Sequence, residues 1–90
     1  MTTVKMSGDE VARRGKALYE ENIRAKVETN ENIGKIVVID VETGEYGVDT
    51  TGFVSSDRLH RGRPEAPLFA IRIGYNVAAA MGGVVERVAS

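Results

Sequence analysis

The chain has 90 residues, of which 12 are Lys or Arg, 13 Asp or Glu and one His, for a net charge of −1. With 42% hydrophobic and 28% charged residues it has the composition of an ordinary globular domain, which excludes a collagen, a strongly basic nucleic-acid arm and an acidic solvating tail. The absence of cysteine excludes a disulfide-stapled scaffold, thiolate catalysis and thiolate zinc sites.

A chain this short forms a single small α+β domain over 1–90, with residues 1–6 as a flexible tail. It buries roughly 60–65% of the surface its unfolded form exposes, and marginal domains of this size gain stability from a partner chain. No stretch approaches the roughly 18 apolar residues that read as a membrane span. Met1-Thr2-Thr3-Val4-Lys5 lacks the apolar core of a signal peptide. A cytoplasmic location without a membrane partner is the expectation.

Ser7, three residues before Glu10, is a capping-box signature that starts a helix. The helix runs to about Glu28, with Val11, Ala12, Gly15, Leu18, Tyr19, Ile23 and Val27 on one broad apolar face. Asn22 and Lys26 fall within that face, Lys26 snorkelling at its rim. Asn30-Glu31-Asn32 ends the helix. Lys35–Val41 is almost wholly β-branched and continuously apolar, the pattern of a strand buried on both sides. Gly44 turns a hairpin in the left-handed region, and the second strand covers about Glu45 to Val48. Asp49, Thr50 and Thr51 cap a short helix from Gly52 or Phe53 to about Arg61. Phe53 and Leu59 anchor it, Ser55 and Ser56 allow close approach, and Gly62 and Pro64 stop it. Leu68–Gly74 is the third strand, with Phe69, Ile71 and Ile73 on one face and Arg72 on the other. The tail from Tyr75 reads as a short helix over Val77–Gly82, favoured by its alanines, or as a hairpin turning at Gly82-Gly83; the helix is preferred.

The predicted order is α-β-β-α-β. A right-handed crossover from strand two to strand three makes them parallel and leaves strand one in the middle of a three-stranded sheet of order 2-1-3. The long helix covers one face. The other needs the short helix, the tail or a second chain, so a homo-oligomer or a small protein partner is expected.

Few residues carry chemistry. His60 and Asp57 lie one helical step apart, as an acid–base dyad would require, but a solvated helix-end histidine among arginines is the plainer reading. One His and no Cys fall short of a zinc ligand set. Asp49-Thr50-Thr51-Gly52 resembles the Asp-Thr-Gly of aspartic proteases with an extra Thr; helix capping explains it more simply. Arg58, His60, Arg61 and Arg63 form the densest basic cluster and could meet phosphates, yet Asp57 and Glu65 flank it and no aromatics are interleaved. The cations of the first helix, Arg13, Arg14, Lys16 and Arg24, are diluted by Glu20 and Glu21. No glycine-rich phosphate loop is present. Asp40 and Arg72 interrupt neighbouring apolar strands, which predicts a cross-strand ion pair.

Tyr19-Glu20-Glu21-Asn22-Ile23-Arg24 through Val27-Glu28, the block Gly34-Lys35 through Ile39-Asp40-Val41-Glu42-Thr43-Gly44-Glu45-Tyr46, then Asp57-Arg58-Leu59 and Arg72-Ile73-Gly74-Tyr75 together resemble a family of small uncharacterised bacterial proteins, largely cyanobacterial. The resemblance covers about residues 15–83. It implies no catalytic residue. The small gene pairs in which the family occurs resemble toxin–antitoxin components, which implies an antitoxin-like or regulatory half of a protein pair.

The functional expectation is a non-enzymatic protein–protein interaction module, a homodimer or one half of such a pair. Asp40, Arg72, Tyr75, Arg58, His60, Arg61 and Arg63 are its candidate contact residues. No catalytic, cofactor-binding or metal-ligating residue is assigned, and no cofactor is expected. The alternatives are a nucleic-acid-binding regulator using Arg58, Arg61 and Arg63, and an enzyme with Asp49 or His60 at a shared dimer site.

Overall fold

The computed structural model describes residues 6–74, 77–81 and 87–89. The first helix, α1, spans Gly8–Leu18 and is capped by Ser7, whose Oγ accepts from the Glu10 N–H at 3.1 Å. The reciprocal half of the capping box is not made: the Glu10 carboxylate pairs with Arg14 at 2.9 Å. Met6, assigned to the flexible tail, packs against the core; residues 1–5 lie outside the described residues.

The predicted single helix is three segments. After α1 comes one π turn, Tyr19–Ile23, closed by the Arg24 N–H on the Tyr19 carbonyl, and then α2, Arg24–Val27. The π turn has a packing reason. Val11, Gly15, Tyr19, Ile23 and Val27 follow one another at steps of four and are all buried. In a regular helix each such step advances about 40°, so Val27 would stand about 160° from Val11. The wider turn takes back part of that drift and keeps the row on the sheet. Asn22 and Lys26, expected within the apolar face, are thereby exposed.

The strands are β1 (Ile36–Asp40), β2 (Tyr46–Asp49), β3 (Leu68–Arg72), β4 (Val77–Met81) and β5 (Arg87–Ala89), in spatial order β2-β1-β3-β4-β5. β1 is antiparallel to both β2 and β3, so those two run parallel to each other across it, as the predicted 2-1-3 order requires. α3 (Phe53–Gly62) makes the crossover between them. Val37, Val38 and Ile39 of β1 have no exposed surface. Odd-numbered Val37, Ile39 and Val41 join Phe69 and Ile73 beneath Val11, Tyr19, Ile23 and Val27. Even-numbered Val38 joins Leu68, Leu59 and Ala66 beneath α3. One helix layer therefore covers each face of β1, which explains why its apolar run does not alternate.

Beyond the predicted three strands the sheet gains two. Val77–Met81 pairs antiparallel with β3 and is not a helix. Five residues are too few to nucleate a helix cheaply, and the alanine preference, below about 1 kcal/mol per residue, yields to backbone pairing along the open edge of β3. The hairpin reading of the tail is the one that holds, since β4 pairs antiparallel with β5; the turn at Gly82-Gly83 lies outside the described residues. No described helix is long and apolar enough to cross a membrane.

Candidate interaction surface

β2 ends in Asp49, whose carboxylate organises the start of α3. Its Oδ2 accepts from the Thr51 N–H and hydroxyl, both at 3.2 Å, and from the Gly52 N–H at 2.8 Å. Its Oδ1 accepts from the Ser55 N–H at 3.1 Å and the Ser55 hydroxyl at 2.6 Å. Burial alone would raise its pKa, but the hydrogen bonds from Ser55, Gly52 and Thr51 outweigh it and hold the group down at about 2. The capping reading of Asp49-Thr50-Thr51-Gly52 is the one the geometry supports. The chain reverses through Gly52 at φ +84°, a left-handed conformation that favours glycine.

Ser55 and Leu59, one step of four apart, are the buried face of α3. Close approach is possible because β2 offers Gly47: a Cβ there would lie 2.7 Å from Ser55 Oγ. Phe53 does not anchor the helix. It is 72% exposed, and Val54 beside it is 69% exposed. The helical angle was the available signal, since residues six apart lie about 240° from each other and cannot share a face. Phe53, Val54, Asp57, Arg58 and Arg61 are all exposed and make the outward side of α3.

The basic cluster is dispersed by its partners. Arg58 crosses over Gly47 and donates to the Tyr46 carbonyl at 3.2 Å, on the edge strand β2. His60 Nε2 lies 3.1 Å from the Ala66 carbonyl and donates to it, since a carbonyl can only accept. Asp57 pairs with Arg61 at 2.9 Å, not with His60, so no dyad forms. Arg63 bonds both the Asp40 and the Glu42 carboxylates. Its hydrogen bond to Glu42, then that to Asp40, raise its pKa further. Asp40, 1% exposed, also accepts from the Glu42 N–H at 2.9 Å and the Thr43 N–H at 3.3 Å, fixing the β1–β2 turn.

The predicted Asp40–Arg72 pair is not formed. The β1–β3 register sets Asp40 opposite Leu68 and Arg72 opposite Ile36, about 13 Å apart along the strands. Antiparallel pairing places the C-terminal end of one strand beside the N-terminal end of the other, and both residues lie at C-terminal ends. Arg72 instead donates to the Gly34 carbonyl at 3.0 Å. Tyr75 lies outside the described residues.

Two features escaped the sequence reading, although the i,i+4 spacing of Glu20, Arg24 and Glu28 signalled the ion pairs of the second. The π turn brings Glu21 and Asn22 to a shallow groove of about 250 Å³ that Arg14, Leu18 and Val41 also line. The hydroxyl of buried Tyr19 donates to Glu28 at 2.7 Å, and on the exposed side Arg24 bonds Glu28 and Glu20. Burial, then the bond to Glu28, push the Tyr19 hydroxyl well above the usual tyrosine range. The same bond holds Glu28 below the usual carboxylate range. Among the described residues no group of three or more His, Asp or Glu could hold a metal ion. No family model matches the chain, and comparison with curated proteins and with solved structures gives no match.

Proposed function

We propose that the protein is a non-enzymatic protein–protein interaction module that binds through the outward side of α3. The observation that carries this reading is the adjacent pair Phe53 and Val54, 72% and 69% exposed, on a helix start fixed by Asp49. Single exposed apolar residues are ordinary, but two large ones together on an ordered first turn suit a contact site. Aromatic side chains supply much of the energy at such sites. Two of the groups that could do chemistry are engaged within the fold: Asp49 by the α3 backbone and Ser55, and His60 by Ala66. Arg63 likewise faces the Asp40 and Glu42 carboxylates of this chain, which favours the interaction reading over phosphate binding. The antitoxin-like role implied by the family resemblance is the concrete form of this proposal.

The test compares tagged wild-type protein with the Phe53→Ser/Val54→Ser variant as baits in the native cell. A protein recovered in stoichiometric amount by the wild type and lost with the variant is expected. Equal recovery by both, or none by either, overturns the reading. Neither side chain is in the core, so circular dichroism should show the variant folded like the wild type.

A further inference from the structure

The outward side of α3 has a polarity along its axis that says what would fit it. Phe53 and Val54 make its N-terminal end apolar, Asp57 stands near the middle, and Arg58 and Arg61 make its C-terminal end cationic. Val54, Asp57, Arg58 and Arg61 follow at helical spacing and form one stripe. Such a surface is complementary to its own reversed copy.

We propose that two copies of this chain pair through α3, antiparallel about a two-fold axis passing between Asp57 and Arg58. This rests on the reading of α3 as an interaction surface and names its occupant. The two-fold sets Val54 against Arg61 of the partner subunit and Asp57 against Arg58 of the partner subunit, each contact occurring twice, as an isologous interface requires. The guanidinium of Arg61 can lie over the Phe53 ring, where cation and π-face attract, while its stem packs on Val54. The intrachain bonds compete little: Arg61 and Asp57 are 80% and 65% exposed and such pairs are weak, and Arg58 gives one N–H to the Tyr46 carbonyl and keeps its other donors. α3 has ten residues and is about 15 Å long. The buried area is then below the roughly 1,200 Å² of a standard interface, so pairing is weak and concentration-dependent.

Sedimentation velocity of the full chain from low-micromolar to millimolar concentration tests this. The mass should rise from 9.7 kDa towards twice that value. Phe53→Ser/Val54→Ser should weaken association at least about tenfold, the equivalent of about 1.4 kcal/mol. Asp57→Arg alone should weaken it similarly, by setting two cations against each other, and adding Arg58→Asp should restore it. Circular dichroism of each variant separates loss of pairing from loss of fold. A monomer at every concentration overturns the self-pairing but not the α3 reading, which the capture experiment decides. A dimer indifferent to all these substitutions overturns α3 as its contact and leaves the α3 reading, again, to the capture experiment. Failure of Asp57→Arg/Arg58→Asp to restore the dimer while the fold is intact overturns the antiparallel register.

Discussion

The ring of Phe69 occupies the space that a side chain at position 15 would need: a Cβ on Gly15 would lie 2.3 Å from Phe69 Cγ. α1 thus rests directly on β3, and the fully buried ring cannot move aside without disturbing the core. Gly15→Ala improves helix propensity by about 1 kcal/mol, yet overpacking of this kind costs about 1–3 kcal/mol. The variant is therefore expected to be no more stable than wild type, and destabilised at the larger cost, by its urea midpoint. A midpoint raised by the full propensity gain would mean that α1 stands further from the sheet.

Acid should loosen the start of α3. The Asp49 carboxyl is held at about 2, below its ordinary 3.8, by donors that exist only in the folded chain. A depressed folded-state pKa contributes stability that is complete above the unfolded value and lost as pH falls through the folded one. Stability should therefore decline between about pH 4 and pH 2. Asp49→Asn should cost about 0.5–2 kcal/mol near neutrality and flatten that acid limb in denaturant titrations at stepped pH.

The arginines of the basic cluster should separate by role. Asp40→Ala removes the buried acceptor of the Glu42 and Thr43 N–H groups and of Arg63, at a cost of about 1–3 kcal/mol. Arg63→Met should lower the thermal midpoint more than Arg61→Met, whose partner is an exposed Asp57. Equal midpoints for the two would show that the Asp40 carboxylate does not depend on Arg63.

Tyr19 should keep its proton to unusually high pH. Its hydroxyl is raised by burial and by the Glu28 carboxylate, so the unfolded chain loses this proton first as pH rises. The stabilisation is complete below about pH 10 and lost above it. In an absorbance titration the Tyr19 phenol should ionise only as the chain unfolds. Tyr19→Phe should remove that step and cost about 0.5–1.5 kcal/mol.

Much of the fold was legible in the residues because local chemistry fixed it. The Ser7 cap, the glycine turn at Gly44 and the Asp49 cap each satisfy backbone groups within a few positions in sequence, and the β-branched run of β1 suits extended backbone whatever strand it pairs with. The apolar pattern on both sides of β1 placed it centrally, and the short crossover through α3 set β2 and β3 parallel. What only the tertiary structure decided depends on register and on distant partners. Asp40 found Arg63 rather than Arg72, because the register sets it opposite Leu68 and the loop after α3 brings Arg63 to it. The π turn at Tyr19–Ile23 answers a sheet that must be followed over four successive steps of helix. Val77–Met81 became a strand because β3 had an edge to pair with. Phe53 was left outside because Ser55 and Leu59 took the face that Gly47 allows to approach. A residue's own chemistry settles its near neighbours; which distant surface it meets is settled by the packing of the whole chain.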